Sequence, residues 1–346
     1  VTAIIGIATK FFTCTLSVMF REKSNEGEIL GGPMYVIKNG LPKNMLPLAY
    51  FFAFAGMIGC LPAFQSNQLI QITGDLGFSN IENFNIYGGL SLASITALVV
   101  LGGLKRIAEV ASYLVPFMGS IYFGAMLIAI VLNINQVIPA FSLIITDAFS
   151  GTAIAGGTFF GVLIYGVRRG AFSNEAGMGT ESLVHGVAKV SNPVKQGLVA
   201  MTGPIFDTLI ICTATALMIL ISGVWETSAS QGVTLTAEAF SSLLGSFGGF
   251  VLFACVICFG LSTIFTYSYY GASCSRFLFG KLGMRFYIYL YIISIFVYSI
   301  VPIDIAINIA DGAFAMMAIP TLVSALWLAP KVMQASKNYF KIIEGR

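Results

Sequence analysis

The residues best able to do chemistry in this sequence are amides, hydroxyls and acids that lie inside long apolar runs. Gln65, Gln68 and Gln71 follow one another at a spacing of three, so in a helix they share one face. Polar groups without partners are unfavourable inside a bilayer, so three carboxamides within two turns favour a polar cavity. The alternative is hydrogen bonding between neighbouring helices, to which each amide contributes modestly.

A pair of neutral hydroxyls, Ser262 and Thr263, lies in another apolar run. Hard oxygen ligands of this kind suit a cation such as Na⁺. Serine and threonine in membrane helices more often donate a hydrogen bond back to their own backbone, and the local sequence favours that alternative.

Two acids also fall inside apolar runs. Asp207 follows Pro204, and Asp311 lies one turn after Asn308. An ionisable residue inside a membrane segment indicates a functional site, and for these two acids the function would be coupling to an ion. The alternatives are that the acid caps a broken helix or pairs with a base.

The sequence contains no P-loop, G-x-S-x-G or H-E-x-x-H motif, and its six cysteines all lie in apolar runs. An ATP-driven pump or an intramembrane hydrolase would lack its chemistry, so we do not expect an enzyme. The net charge of +3 and the scattered basic residues also argue against a nucleic-acid partner.

The elements that position these residues are predicted from the apolar runs. Hydrophobic residues make up 57% of the chain and charged residues 10%, and a helix needs roughly 20 apolar residues to cross a lipid bilayer. We therefore predict an all-α polytopic membrane protein, a single domain over residues 1–346, with nine visible spans. The predicted spans are approximately 1–20, 47–73, 86–103, 110–133, 152–167, 197–222, 248–275, 285–301 and 303–329.

The basic residues predict the orientation of the spans. Every Lys and Arg except Lys10 falls in alternate connections or in the tail 330–346. Basic connections stay on the cytoplasmic side, so we expect residues 21–46 and the C-terminus to be cytoplasmic and the membrane to be the plasma membrane. Residues 31–40 follow a Gly-Pro turn and predict a short amphipathic helix lying on the bilayer.

The fifth predicted span contains an unusual density of glycine. A continuous helix over 151–161 would be poor, and a break at Gly156 and Gly157 would free backbone groups near the middle of the membrane. Transporters bind carboxylates and cations at such breaks. Close helix packing through small residues is an equally good alternative.

The run from Arg169 to Gly179 reads Arg-Gly-Ala-Phe-Ser-Asn-Glu-Ala-Gly-Met-Gly and resembles a signature of the alanine/glycine:cation symporter family. The stretches at 31–35, 65–67, 262–271 and 310–320 resemble others of the same family. The resemblance implies a LeuT-like core of five plus five helices in inverted repeats. Residues 1–133 would be the remainder of the first repeat, residues 152–329 the second, and the first core helix would be missing from this chain.

The resemblance also implies roles for individual residues. It implies a cation site at Ser262 and Thr263, and it places Tyr267 where relatives often carry Trp, which leaves the width of the pocket open. The substrate contacts that it implies are Gln65, Asn67, Gly156, Gly157, Thr158, Phe159 and Tyr267. We interpret residues 168–181 as a structured cytoplasmic element whose charges rearrange between inward-open and outward-open states, with gating residues Arg168, Arg169, Asn174 and Glu175.

The function expected from these observations is secondary transport, in which Na⁺ drives symport of a small neutral amino acid such as alanine or glycine by alternating access. H⁺ could replace Na⁺, with Asp207 or Asp311 as its carrier. A channel built on the same fold, or an amino-acid sensor that binds without transporting, is the competing hypothesis. Nothing in the sequence predicts the oligomeric state.

Overall fold

The computed structural model describes residues 2–75, 77–148 and 158–344, and this part of the chain is almost entirely helical. Six of its helical segments are long and apolar enough to cross a membrane: Thr2–Met19, Lys43–Asp75, Gly103–Leu132, Pro193–Ser222, Ser246–Tyr298 and Ile307–Ile343. Shorter apolar helices lie at Phe84–Val100, Ile134–Ala148 and Val233–Leu244.

The described residues up to Ala148 form seven α-helices and one small antiparallel hairpin, in which Glu22 pairs with Leu30 and Lys23 with Ile29. Short 3₁₀ turns precede α3 and α5. The elements are α1 (Thr2–Met19), β1 (Glu22–Lys23), β2 (Ile29–Leu30), α2 (Pro33–Gly40), α3 (Leu46–Gly59), α4 (Ala63–Asp75), α5 (Phe84–Val100), α6 (Gly103–Leu132) and α7 (Ile134–Ala148).

The second half is helical as well, and it includes one π-helical segment. Its elements are α8 (Thr158–Asn174), α9 (Thr180–Val187), α10 (Pro193–Pro204), the π-helix Ile205–Cys212, α11 (Thr213–Ser222), α12 (Val224–Thr227), α13 (Val233–Leu244), α14 (Ser246–Tyr298) and α15 (Ile303–Glu344). The long helix α14 packs against α3, α4, α5, α6 and α13, while α1 packs against α9 and α10.

The surface of the bundle is rich in exposed apolar side chains. Leu98, Leu132, Leu282 and Leu326 are each more than two thirds exposed. A soluble monomer rarely exposes so much apolar surface, whereas a membrane protein presents it to lipid. The prediction of an all-α polytopic membrane protein is confirmed. The count of nine spans and the inverted repeat stay predictions.

Several helices continue beyond the predicted spans. The fifth span was expected to end near 167, and α8 continues to Asn174, so Arg168 and Arg169 are helical. The predicted connections 134–151 and 223–247 contain the helices α7 and α13. The tail after residue 329 is also helical, because α15 passes through Pro330 and ends at Glu344.

The short helix α2 begins as the sequence predicts, with Pro33 at its first turn, where a missing N–H is tolerated. Its apolar residues do not face lipid. Met34 and Ile37 are fully buried in the main hydrophobic core, against α3 and the C-terminal helix α15. The expectation that this helix lies on the bilayer was therefore wrong about what covers its apolar face.

Helix α14 is divided by Gly280, whose φ of 69° and ψ of −160° interrupt the helical geometry. The kink falls between the seventh and eighth predicted spans, where the sequence predicted a connection. The hairpin β1–β2 is tied to this kink, because Glu28 pairs with Arg276 and Glu26 pairs with Lys281. The hydrogen bond from Lys281 holds the pKa of Glu26 below its ordinary value.

We expect Gly280→Ala to destabilise the protein by about 1–3 kcal/mol, because an L residue rarely adopts this backbone conformation. A Cβ at this position would meet no other atom, so the effect reports the backbone alone. Thermal unfolding in detergent measures it. The matched control is Gly124→Ala in α6, where the added Cβ also meets nothing and the conformation is helical, so stability should stay equal or rise. Equal midpoints for the two variants would contradict the prediction.

Candidate functional site

A cavity of about 500 Å³ lies between α4, the C-terminal end of α8, the π-helix and α14. Its apolar wall includes Phe64, Leu69, Phe172, Val256 and Phe259. Polar side chains supply the rest of the lining: Gln65, Gln68, Ser173, Glu175, Asp207, Thr263 and Tyr267. Of the polar residues that the sequence predicted to be functional, the cavity thus brings together Gln65, Glu175, Asp207, Thr263 and Tyr267.

The amides of α4 separate onto two sides of the helix. Gln65 and Gln68 line the cavity, as their shared face predicted, and Gln68 Nε2 donates to Gln71 Oε1 at 2.9 Å. Asn67 Nδ2 donates to the backbone carbonyl of Val301 at 2.7 Å. Asn67 is not among the residues that line the cavity. Its position therefore does not support the predicted contact with substrate, which stays a prediction.

The helical chain is interrupted between α8 and α9. Glu175, Gly177 and Gly179 all have left-handed backbone conformations, with φ of 54°, 86° and 87°. Gly179 is also restricted sterically, because a Cβ there would approach Pro33 and Thr321 to 2.6 Å. Two closely spaced glycines permit this interruption at low steric cost. It turns Glu175 out of the helical repeat and into the wall of the cavity.

Glu175 is held by two hydroxyl donors. Tyr267 Oη donates to one carboxylate oxygen at 2.9 Å, and Thr180 Oγ1 donates to the other at 2.8 Å. The preceding residue, Asn174, is 2% exposed, and its Oδ1 accepts a hydrogen bond from the backbone N–H of Ala176 at 3.0 Å. Hydrogen bonds to a charged acceptor are stronger than neutral ones, so they fix the position of the Glu175 carboxylate.

Asp207 lies in the π-helix that follows Pro204. Its Oδ2 accepts hydrogen bonds from Ser173 Oγ at 2.5 Å and from Thr208 Oγ1 at 3.0 Å. π-helical turns often occur at functional sites because they reposition one side chain. The described residues that line the cavity include Glu175 and Asp207 but no Lys, Arg or His, and the C-terminal carbonyls of α8 add partial negative charge. The cavity therefore favours cations and ammonium groups.

The hydroxyls of Ser262 and Thr263 both donate to the carbonyl of Phe259, each at 2.9 Å. Thr263 lines the cavity, whereas Ser262 is buried. A hydroxyl that donates still has lone pairs for a cation, but two such oxygens fall short of the six or more that hard cations prefer. In the described residues no cluster of three His, Cys, Asp or Glu side chains could hold a metal ion. The Na⁺ role of this pair stays a prediction.

Asp311 lies outside this cavity and pairs with the basic residues of α8. Arg169 Nη2 lies 2.6 Å from Asp311 Oδ2, and Arg168 Nη1 lies 3.8 Å from the same oxygen. The guanidinium of Arg169 also lies 5.4 Å from the ring centre of Tyr165. Among ion coupling, helix capping and pairing with a base, this geometry supports pairing with a base.

Part of the predicted site lies outside the described residues. Gly156 and Gly157 are not described, and Thr158 and Phe159 form the start of α8. The predicted break at the glycine pair therefore stays a prediction. Sequence reasoning missed the interruption at 175–179, although the spacing of Gly177 and Gly179 was a visible signal. It also missed Ser173, which only the fold brings to Asp207.

Comparison with known proteins adds an independent observation. A family model described as the sodium:alanine symporter family matches residues 1–345. The chain belongs to this family. Membership of this family shows that the protein is a transporter of amino acids with several membrane-spanning helices, and not an enzyme.

Individual relatives of the symporter extend across nearly all of the chain. The sodium/alanine symporter AgcS of Methanococcus maripaludis is 35% identical over 348 residues, covering 99% of this chain and 76% of the relative. The probable sodium/glutamine symporter GlnT of Bacillus subtilis is 33% identical over 339 residues, covering 97% and 70%. The putative sodium/proton-dependent alanine carrier protein YrbD of the same organism is 32% identical over 362 residues, covering 97% and 72%.

We expect Asp311→Asn to destabilise the symporter by about 1.5–3 kcal/mol, because Arg169 loses its charged acceptor. The midpoint of thermal unfolding in detergent measures the loss. Asp304→Asn is the matched control, since Asp304 begins the same helix and is exposed. If both variants unfold at the wild-type temperature, the pair between α8 and α15 contributes nothing to stability.

Proposed function

We propose that the symporter carries a small neutral amino acid, such as alanine or glycine, across the plasma membrane together with Na⁺. The binding site in this proposal is the cavity between α4, α8, the π-helix and α14. The observation that carries the proposal is the combination of two carboxylates, Glu175 and Asp207, with the amide of Gln65 in one cavity. These groups match the two charged ends of an amino acid.

The polar lining supports a zwitterionic substrate. The ammonium group of an amino acid complements the negative charge of Glu175 and Asp207. Gln65 offers an N–H₂ donor to the substrate carboxylate, and it makes no hydrogen bond with another described residue that would compete. A neutral side chain fits, because an acidic substrate would meet two carboxylates and, among the described residues that line the cavity, no base. The aromatic wall of Phe172, Phe259 and Tyr267 limits the size of that side chain.

The coupling ion is supported by the relatives and by the cavity. AgcS is named as a sodium/alanine symporter, and GlnT as a probable sodium/glutamine symporter. Thr263 contributes a hydroxyl oxygen to the cavity beside the buried Ser262. H⁺ is the second candidate ion, because YrbD is named as sodium/proton-dependent and because Asp207 offers a carboxylate on the wall.

The interruption at 175–179 supports alternating access. Discontinuous helices provide the binding site in transporters built from inverted repeats, and the LeuT-like arrangement is part of this proposal. Glu175 belongs both to the interruption at 175–179 and to the cavity wall, so a substrate bound at Glu175 acts on the segment that connects α8 with α9. A substrate that binds one orientation of α9 relative to α8 more tightly shifts the population of conformations towards that orientation.

Uptake of labelled alanine into proteoliposomes tests the proposal, with and without an inward Na⁺ gradient. We expect uptake that requires Na⁺ and is competed by glycine. Uptake that follows a proton gradient and ignores Na⁺ would instead favour H⁺ coupling. Binding without uptake would favour a sensor, and passive flux that does not saturate would favour a channel.

We expect Tyr267→Phe to weaken alanine binding about tenfold or more, because Glu175 loses a hydrogen bond worth about 1.5–3 kcal/mol while the aromatic wall stays in place. Equilibrium binding of labelled alanine measures the change. Tyr113→Phe is the matched control, since Tyr113 lies on α6 and is 77% exposed. Equal affinities in both variants would remove Glu175 and Tyr267 from the binding site.

A further inference from the structure

A second glutamate, two residues beyond the interruption at 175–179, is buried away from the cavity. Glu181, in the first turn of α9, is 4% exposed. Its Oε1 accepts a hydrogen bond from Thr13 Oγ1 of α1 at 3.1 Å. Its Oε2 is buried and has no hydrogen-bond partner in the described part of the chain. A carboxylate with one oxygen that accepts no hydrogen bond is much less stable in a protein interior than in water. The neutral carboxylic acid is destabilised less by the same burial.

A buried base lies in the same region. Lys10 of α1 is 9% exposed, and it forms no ion pair within 4.0 Å among the described residues. Its Nζ lies beside α10, because a Cβ built at Gly203 would be 3.2 Å from it. Lys10 and Glu181 are therefore close enough to interact electrostatically but form no ion pair. The structure does not fix Glu181 as the anion of a closed salt bridge.

Ionisable groups continue from Glu181 in both directions along the chain. Towards the cavity, Thr180 Oγ1 donates to Glu175, which lines the cavity wall. Away from it, His185 lies one turn further along α9, on the face of Glu181. His185 Nδ1 is 2.5 Å from Gln196 Nε2 of α10. These residues lie between the cavity wall and the C-terminal end of α9, where Arg21 donates to the carbonyl of Ala188.

We infer that Glu181 is a proton-binding site of the transport cycle. It is protonated and deprotonated as α9 moves relative to α8. The inference rests on the proposed function and deepens it, because it adds H⁺ to the cargo and places it on a named atom. The proton binds Glu181 Oε2 from water, forms the O–H bond of a carboxylic acid, and leaves to water on the other side of the membrane. The titratable groups that face this site are Lys10 and Cys14 on α1, Glu175 in the interruption, His185 on α9 and Tyr270 on α14.

The position of Glu181 explains how movement would change proton access. It lies two residues after Gly179, the last left-handed residue of the interruption, so rotation of α9 moves it directly. Its hydrogen bond with Thr13 is made across the α1–α9 interface, which such a rotation separates. Opening that interface admits water to the bare oxygen, and closing it excludes water again.

Infrared spectroscopy of the full chain in lipid tests the site without any need for transport. Across a pH series from mildly acidic to mildly alkaline, we expect a carbonyl band of a protonated carboxyl group that titrates in the wild type. Glu181→Gln should lose it, while Glu26→Gln, a change at an exposed acid, should keep it. A titrating band that is unchanged in Glu181→Gln overturns the inference. If that variant does not fold, Glu181→Asp should shift the titration, and an unshifted one overturns the inference as well.

The pH dependence of alanine binding tests the coupling. For one coupled proton, the Kd of labelled alanine at saturating Na⁺ should fall with falling pH, by at most tenfold per pH unit. Glu181→Gln should bind alanine with a Kd that no longer depends on pH. A wild-type Kd that is constant across the pH series overturns the coupling. Failure to bind alanine at any pH overturns the proposed function, and the infrared result still decides the proton site.

Discussion

Backbone groups inside a bilayer must find hydrogen-bond partners within the protein, and this requirement governs the architecture of the symporter. Long helices satisfy it automatically, and most of the described chain is helical for that reason. The interruption at residues 175–179 is the departure that matters for function. It is tolerated because neighbouring groups surround it: Thr321 donates to the carbonyl of Met178, and Asn174 accepts from the backbone of Ala176. Irregular backbone of this kind persists where it lines a cavity, and Glu175 lines one.

The acids of the symporter differ in what surrounds them. Asp311 is paired with Arg169, which links α15 to α8. Glu175 and Asp207 are held by hydroxyl groups at the cavity wall, with no base among the residues that line it. Glu181 is buried, and its Oε2 has no hydrogen-bond partner among the described residues. The same chemical group therefore meets an ion pair, a hydroxyl-lined cavity or a dry interior, depending on how the helices pack.

The two ends of the chain meet around the interruption. Helix α1 reaches α9 through Thr13 and Ser17, and α15 reaches the same segment through Thr321. Gly186 approaches the backbone of Gly31 so closely that a Cβ there would be 2.9 Å from its Cα. The interrupted segment therefore has packed neighbours on several sides, and any change in its orientation must be shared with α1 and α15. Interfaces packed this closely have few discrete arrangements, as the proposed alternating access requires.

The sequence by itself determined the class of the protein, because apolar runs of span length and a low content of charge have no other stable environment. It also identified the face of α4 that carries Gln65 and Gln68, since helical periodicity is local, and the Arg169–Gly179 run that carries the family resemblance. Only the tertiary structure decided where the helix is interrupted, because Gly177 and Gly179 can adopt helical or left-handed conformations until other helices pack against them. Leu322 approaches Gly177, and Pro33, Phe52 and Thr321 surround Gly179. It alone paired Arg169 with Asp311 across 142 residues, and it turned Asn67 towards Val301 and away from the cavity. Contacts between residues so distant in sequence depend on how whole helices pack, which no local pattern encodes.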